Sequence, residues 1–88
     1  MSASSAMSSE PIVIDTRRLN CPLPVIRSRR AAKSLPAGAQ ILVECTDPLA
    51  KIDIPHFATA DGHRLVSSGE NGNVLWFLIE LGGGNASG

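Results

Sequence analysis

Long apolar segments, cysteines and aromatic side chains are all scarce in this chain of 88 residues. No apolar run approaches the roughly 20 residues that a membrane-spanning helix needs, so we expect no membrane association. The first residues show neither the basic segment nor the apolar core of a secretory signal. With two cysteines and no such signal, we expect a cytoplasmic location, where thiols serve reactivity, metal binding or packing.

The charged residues are balanced in number but not in position. The formal net charge is zero, so overall electrostatics indicate no particular partner. Six of the eight basic residues nevertheless fall between positions 17 and 33, where no acid occurs: Arg17, Arg18, Arg27, Arg29, Arg30 and Lys33. Such a surface is usually only solvated, and its second interpretation is docking to an acidic protein or to RNA phosphates. Because only two Phe and one Trp are available for stacking on bases, we expect no direct nucleic-acid binding.

The composition predicts one small domain between two tails. Residues 1–10 are rich in Ser and Ala and residues 82–88 are rich in Gly, so we expect both tails to be disordered. Residues 11–81 then form a single domain, close to the lower size limit for folding without disulfides or metals.

Hydrophobic periodicity and turn residues predict the element order β-α-β-α-β-β. The strands are predicted at 11–15, 41–45, 64–70 and 73–81, the first helix from the 21–24 turn to about 35, and the second from 48 to about 60. Asp47 is the expected cap of the second helix, and Asn71-Gly72 the expected type I′ hairpin turn. Pro55 indicates either a kink or a restart capped by Asp53. Strand-helix-strand units favour parallel pairing, so we predict a two-layer α/β sandwich with both helices on one face of a four-stranded sheet.

That architecture leaves the second sheet face without a helical cover. We assign Leu75, Phe77 and Ile79 to the core, because the alternate positions of this strand lead into Glu80. The alternate set, with residues of other strands, is expected on the open face: Val13, Leu42, Val66, Val74, Trp76 and Leu78. This face is either an ordinary thinly covered surface or a docking patch for a partner or a second copy.

Cys21 stands in an unusual frame, between two arginines and a helix start with Pro22 and Pro24 on its C-terminal side. Prolines are tolerated in a first helical turn, whose N–H groups lack partners within the helix. A sulfur near a positive helix end, with Arg17 and Arg18 close in sequence, is predicted to have a lowered pKa and to be nucleophilic. Such a thiolate can take a group from another sulfur and pass it on. The alternative is a small apolar filler at a turn.

Cys45 shares a strand face with apolar neighbours, which favours packing. If the first two strands are parallel, however, Cys21 and Cys45 end at the same sheet edge, and a transient disulfide between them stays open. His56 and His63 could join the cysteines in a metal site, but no pair has zinc-site spacing, so we expect no metal.

Several motifs together make the chain resemble the TusA/SirA-like family of small sulfur-carrier proteins over residues 12–81. They are Asp15-Thr16-Arg17, Cys21-Pro22-Leu23-Pro24, Pro36-Ala37-Gly38, Thr46-Asp47-Pro48, Asp53-Ile54-Pro55-His56-Phe57 and Gly62-His63. The resemblance implies a β-α-β-α-β-β (α+β) fold with a mixed sheet. It also implies that Cys21 carries sulfur as a transient persulfide, without another cofactor. A cysteine desulfurase or rhodanese-like donor would load it, and a downstream relay protein would accept the sulfur for tRNA thiolation, molybdenum-cofactor sulfuration or sulfur metabolism.

Two positions near Cys21 have more than one interpretation. Asp47 either caps the second helix or orients the site and its partners. Arg18 stands where the resembled family usually has Gly. If that position requires positive φ, Arg18 is strained there; if it does not, Arg18 raises the local positive potential.

Three functional hypotheses follow. The first is a sulfur carrier acting through Cys21, with Pro22, Pro24, Arg17 and Asp47 supporting the site. The second is a non-catalytic interaction or regulatory module that docks through the basic helix or the open sheet face, with Arg18, Arg27, Arg30 and Trp76 as candidate contacts. The third is a thiol-redox switch that uses Cys21 and Cys45.

Overall fold

The computed structural model describes residues 10–82, and residues 1–9 and 83–88, nearly all of the two predicted tails, lie outside them. The described chain folds in the predicted order β-α-β-α-β-β. Its elements are β1 (Ile12–Thr16), α1 (Leu23–Lys33), β2 (Gln40–Cys45), α2 (Ala50–Ala60), β3 (Arg64–Asn71) and β4 (Val74–Glu80). Neither helix of the described chain has the length and apolar content needed to cross a membrane.

The four strands form one mixed sheet in the order β1-β2-β4-β3. Strands β1 and β2 are parallel, as the helical connection between them predicts, whereas β4 is antiparallel to both β2 and β3. The register pairs Thr16 with Cys45. The carboxyl ends of β1 and β2 therefore meet at one edge of the sheet, and the loops that follow them lead into α1 and α2.

The core lies between the sheet and the two helices, which contact each other and cover the same face. Leu75, Phe77 and Ile79 are buried there, which confirms the face assignment made for β4. The other buried apolar residues come from both layers: Ala32, Ile41, Val43, Cys45, Ala50, Ile54, Phe57, Ala58 and Leu81. The two-layer α+β sandwich with both helices on one face is thus confirmed.

The hairpin between β3 and β4 differs from the prediction by one residue. Asn71 belongs to β3 and pairs with Val74, so the turn consists of Gly72 and Asn73. A type I′ turn needs positive φ at both central residues. Gly72 has a φ of 66°, but Arg18 is the only non-glycine residue with positive φ within residues 10–82, so the type I′ prediction is wrong.

Both helices also depart from the predicted pattern. The periodicity of α1 predicts an apolar face with Val25, Ile26, Ala32 and Leu35, but Ile26 is 50% exposed, because the buried face runs through Pro24, Ser28 and Ala32. Ser28 tolerates full burial since its hydroxyl donates a hydrogen bond to the carbonyl oxygen of Pro24 at 2.7 Å. Helix α2 begins at Ala50 and continues through Pro55. Its predicted start at residue 48 and its predicted restart at Asp53 are therefore wrong.

Candidate functional site

Cys21 lies in the turn between β1 and α1 and is half-buried. Pro22 is the N-cap of α1 and Pro24 occupies the first turn, so the prolines start the helix directly after the cysteine, as predicted. The Cys21–Pro22 peptide bond is cis. Pro22 is exposed and Pro24 is buried, so Cys21 lies at the boundary between the core and the exposed side of α1.

Asp47, in the loop between β2 and α2, joins the two halves of the site. Its Oδ2 accepts a hydrogen bond from the backbone N–H of Cys21 at 2.7 Å, and its Oδ1 accepts one from the N–H of Leu49 at 3.0 Å. These two bonds lower the pKa of the Asp47 carboxyl. The predicted capping role is wrong, because Leu49 is the N-cap of α2; one oxygen of Asp47 orders the turn before α2, while the other holds the backbone of the cysteine.

Asp53 is the site residue that sequence reasoning missed. It lies in the first turn of α2, and its Oδ2 accepts a hydrogen bond from the Cys21 thiol. One of the two interpretations of Pro55 makes Asp53 the cap of a restarted helix, but α2 is continuous there and the carboxylate points at the sulfur instead. One feature of the sequence could have identified Asp53. It lies one turn into the helix that follows the loop of Asp47, and Asp47 contacts Cys21.

The electrostatic prediction for Cys21 is wrong in sign. The hydrogen bond to Asp53, the loss of hydration, and the negative charges of Asp53 and Asp47 all raise the pKa of the Cys21 thiol. The prediction counted the sequence neighbours Arg17 and Arg18, whereas the chain folds two carboxylates onto the sulfur. The resting form of the cysteine is therefore the protonated thiol.

Arg17 is engaged with another partner. Its guanidinium forms a two-point salt bridge with Asp15, with N···O distances of 2.8 and 3.0 Å, and both side chains are exposed. These hydrogen bonds lower the pKa of Asp15 to about 2. Arg17 thus neutralises Asp15 on β1. Within residues 10–82 it makes no direct contact with Cys21 that would support its predicted role there.

Arg18 adopts a φ of 76°, in the left-handed region that normally requires glycine. Its backbone N–H donates a hydrogen bond to the hydroxyl of Thr46 at 2.9 Å. The first of the two alternatives stated for this position therefore applies, and Arg18 occupies a strained conformation. Its side chain lines a polar cleft with Asp15, Arg17, Thr46 and Asn73.

A shallow cavity of about 270 Å³ opens beside the thiol. It is lined by Cys21, Pro22, Val25, Arg29, Asp53, His56 and Phe57. The guanidinium of Arg29 stacks over the Phe57 ring at 5.5 Å and pairs with Asp61 at 2.7 and 3.2 Å. Helices α1 and α2 together therefore form the walls of this cavity.

Cys45 is fully buried at the end of β2. The Thr16 hydroxyl donates its one proton to the carbonyl oxygen of Glu44 at 2.6 Å, which leaves the Cys45 thiol to donate to Thr16 Oγ1 at 3.3 Å. Burial raises the pKa of Cys45. Both cysteines are free thiols in this structure, and only Cys21 has exposed surface.

The predicted docking residues lie on two separate surfaces. Arg27 and Arg30 are exposed on α1, close to the apolar side chains of Leu23 and Ile26 in the same helix. Trp76, in contrast, lies on the open face of the sheet, opposite the helices, and the structure does not bring it to Cys21.

Only one of the two histidines lies near a cysteine, since His56 lines the cavity of Cys21 and His63 does not. His63 uses Nδ1 to accept a hydrogen bond from the N–H of Gly82 at 3.0 Å, and its ring contacts Phe57 edge-on. His56 is exposed at the cavity rim. Within the described part of the chain, no group of three or more His, Cys, Asp or Glu is arranged to hold a metal ion.

Fold and site together define a small α+β domain that presents one partly exposed thiol at a helix start. A family model described as sulfurtransferase TusA matches residues 12–81. A putative sulfur carrier protein, YrkI of Bacillus subtilis, is 34% identical over 70 residues, which cover 80% of this chain and 93% of the relative. The sulfur carrier protein TusA of Allochromatium vinosum is 36% identical over 67 residues, covering 76% and 88%.

A solved structure agrees with these sequence matches. The crystal structure of a SirA-like protein from Desulfitobacterium hafniense covers 81% of this chain and 97% of its own, with a TM-score of 0.71 and 26% identity. The chain belongs to the TusA family, which confirms the resemblance drawn from its motifs. A sulfur-carrier role, with sulfur-transfer partners, follows from these matches.

Proposed function

We propose that Cys21 carries the sulfur, as a persulfide on its Sγ atom, within a relay of cytoplasmic proteins. The observation behind this proposal is the contrast between the two cysteines of the chain. Cys45 is 0% exposed and its sulfur contacts Thr16, whereas Cys21 is half-exposed and lines a cavity open to a partner. Sulfur transfer needs access to the sulfur atom, and only Cys21 supplies it.

The transfer consists of two exchanges between sulfur atoms. In loading, Sγ of Cys21 attacks the outer sulfur of a persulfide on a donor cysteine; a new S–S bond forms, the donor S–S bond breaks, and its electron pair leaves on the donor thiolate. In unloading, an acceptor thiolate attacks the outer sulfur on Cys21, and the electron pair of that bond returns to Sγ. Each exchange replaces one S–S bond with another, so neither an oxidant nor a further cofactor is consumed.

The partners are a cysteine desulfurase or a rhodanese-like protein as donor and a downstream relay protein as acceptor. The acceptor serves tRNA thiolation, molybdenum-cofactor sulfuration or another branch of sulfur metabolism. Exposed apolar side chains on both helices support protein docking around the cysteine: Leu23, Ile26, Leu49 and Ile52 are 43%, 50%, 52% and 69% exposed. The exposed Arg27 and Arg30 add positive charge to the α1 part of this surface.

The proposal is tested by intact-protein mass spectrometry after incubation with a cysteine desulfurase, pyridoxal phosphate and cysteine. A parallel incubation uses a rhodanese with thiosulfate. We expect wild type and Cys45→Ser to gain the mass of about one sulfur that a reductant removes. Cys21→Ser should gain none, and circular dichroism checks that it stays folded.

Other patterns of sulfur uptake would exclude the proposal. Equal loading of Cys21→Ser and wild type would remove Cys21 from the reaction. If neither donor loads the wild type, the carrier proposal fails and the interaction module takes its place. A monomer two mass units lighter after mild oxidation, lost in Cys45→Ser, would instead support the redox switch.

A further inference from the structure

Cys21 and Asp53 form a donor–acceptor pair between the two helices of the cavity. The thiol donates its proton to Oδ2 of Asp53, which lies 32 residues further along the chain and is half-buried. Asp53 belongs to a regular helix and Cys21 immediately precedes the N-cap of another, so the backbone on both sides is held by helix packing. A carboxylate fixed in this way contacts the one atom that takes part in sulfur transfer.

The charges around the thiol are predominantly negative. Asp47 faces it from the loop before α2, Asp53 and His56 from α2, and Arg29 from α1. The guanidinium of Arg29 is already paired with Asp61, at 2.7 Å, and therefore does not offset the carboxylates at the sulfur. A free thiolate is disfavoured in this position, so a nucleophilic attack by Cys21 requires a group that removes the proton as the new bond forms.

We propose that Asp53 is a catalytic residue that holds and returns the Cys21 proton during sulfur transfer. This inference rests on the function proposed above. In loading, Oδ2 of Asp53 takes the thiol proton while Sγ forms its bond to the outer sulfur of the donor persulfide. The donor S–S bond breaks at the same time, and its electron pair leaves with the donor sulfur.

The same carboxyl serves the reverse direction. When an acceptor thiol takes the outer sulfur, its S–H proton passes to Oδ2 of Asp53 as the new S–S bond forms, the electron pair of the broken S–S bond returns to Sγ, and Asp53 delivers the proton to Sγ. Without that proton the leaving group would be a bare thiolate beside Asp47 and Asp53, which the local charges disfavour. While sulfur is bound, its negative charge resides on the outer sulfur, one atom further from Asp53, where repulsion is weaker.

The variant Asp53→Asn separates this role from a purely electrostatic one. It keeps the size of the side chain but removes both its charge and its ability to take a proton. If Asp53 only disfavours the thiolate, the variant makes Cys21 more reactive towards every electrophile. If Asp53 moves the proton, the variant makes Cys21 more reactive towards a small alkylating reagent but slower in sulfur transfer.

Two rates are therefore measured on the full chain at pH 7: alkylation by iodoacetamide, and single-turnover loading by a persulfidated cysteine desulfurase. For Asp53→Asn we expect alkylation to rise severalfold, because loss of the carboxylate lowers the pKa of the Cys21 thiol, and loading to fall by about 10²-fold. Glu80→Gln, which removes a carboxylate charge at the end of β4, is the control and should change neither rate by more than about twofold, because Glu80 pairs with Arg64 at 3.0 Å and neither residue lines the cavity of Cys21.

The pH profile provides the second readout. Loading of the wild type should stay level across the neutral range, whereas loading of Asp53→Asn should rise by about tenfold per pH unit, following the thiolate population. Asp53→Glu retains a proton acceptor and should recover part of the loading rate and the level profile. Asp53→Ser, which also lacks the carboxylate, replaces Asp53→Asn in both rate measurements if circular dichroism shows that the latter does not fold.

Each further outcome decides the question. Loading of Asp53→Asn at or above the wild-type rate would overturn the proton-transfer role while leaving Cys21 as carrier. If the wild type takes no sulfur from either donor, the proposed function fails, and an alkylation rate unchanged by Asp53→Asn would then also exclude Asp53 as holder of the thiol proton.

Discussion

The backbone N–H of Cys21 donates a hydrogen bond of 2.7 Å to Oδ2 of Asp47, 26 residues further along the chain. The bond joins the start of α1 to the loop before α2 across the edge at which the parallel strands β1 and β2 end. Because the other oxygen of Asp47 orders the turn into α2, a single carboxylate couples the position of the sulfur to that of Asp53.

Asp47→Ala should therefore reduce sulfur loading while retaining the thiol. The cysteine backbone loses its anchor, and a misplacement of about 1 Å at a reacting atom costs up to about 10²-fold in rate, so we expect a 10- to 100-fold slower loading. Asp47→Asn keeps one acceptor oxygen, so its loading rate should lie between those of wild type and Asp47→Ala. Single-turnover mass spectrometry measures the rates, and an Asp47→Ala protein that loads as fast as wild type would show that the bond does not position the sulfur.

Arg18→Gly should stabilise the domain. A non-glycine residue in the left-handed region costs about 1–3 kcal/mol, of which the greater flexibility of glycine in the unfolded chain offsets about 0.4–1 kcal/mol. We expect the free energy of unfolding to rise by about 0.5–1 kcal/mol in urea titrations. Arg18→Ala is the control: it removes the side chain but keeps the Cβ, and should stay within about 0.5 kcal/mol of wild type. Equal gains in both variants would assign the effect to charge and not to backbone strain.

The Arg29–Asp61 pair predicts a component of stability that disappears in acid. The hydrogen bond from Arg29 lowers the pKa of Asp61 below its usual 3.8, so this contribution is present above pH 3.8 and is lost as the pH falls through the lower, folded-state pKa. Asp61→Asn should reduce the free energy of unfolding by about 0.5–1 kcal/mol at pH 7, and the difference should vanish at the acid end.

A more exposed pair serves as the control for this prediction. Asp15 and Arg17 are both 52% exposed, so Asp15→Asn should reduce stability less than Asp61→Asn does. The contribution of the Asp15–Arg17 pair to stability should be lost as the pH falls from the usual pKa of 3.8 to the folded-state pKa of about 2. A pH-independent difference between wild type and Asp61→Asn would contradict the assignment to the ion pair.

The element order and the core could be predicted because they depend on local patterns. Leu75, Phe77 and Ile79 alternate along β4, and the charged Glu80 at the end of the other set distinguishes the open face from the covered one. The position of Cys21 directly before a helix likewise follows from the prolines after it. These features need no knowledge of distant residues.

The chemistry at the sulfur could not be predicted, because it is set by tertiary contacts. Arg17 and Arg18 are close to Cys21 in sequence, yet the carboxylates that face it come from positions 47 and 53. The acids reach the sulfur only because β1 and β2 pair in parallel and bring both helix starts to one edge. The parallel pairing itself could be predicted, but not which side chains of the second loop and helix face the sulfur, so counting Arg17 and Arg18 alone reversed the sign of the pKa change.

The pair of Gly69 and Trp76 permits a test of how the open face is built. The two residues are directly opposite each other on β3 and β4, and a Cβ added to Gly69 would lie only 2.7 Å from Cζ2 of the indole. Gly69 therefore supplies the space in which the Trp76 ring lies across the neighbouring strand. Gly69→Ala should reduce the free energy of unfolding by about 1–3 kcal/mol through this overlap.

The overlap predicts that the two positions are coupled. In a Trp76→Val background the space next to Gly69 is free, so Gly69→Ala should then cost less, or even stabilise the strand, with a coupling energy of about 1 kcal/mol or more. Urea denaturation of the four proteins, followed by circular dichroism, measures the cycle. Because the chain has one Trp, the emission maximum of Gly69→Ala also reports whether the indole has moved towards water. Additive effects with an unshifted emission would mean that the strands absorb the methyl group without displacing Trp76.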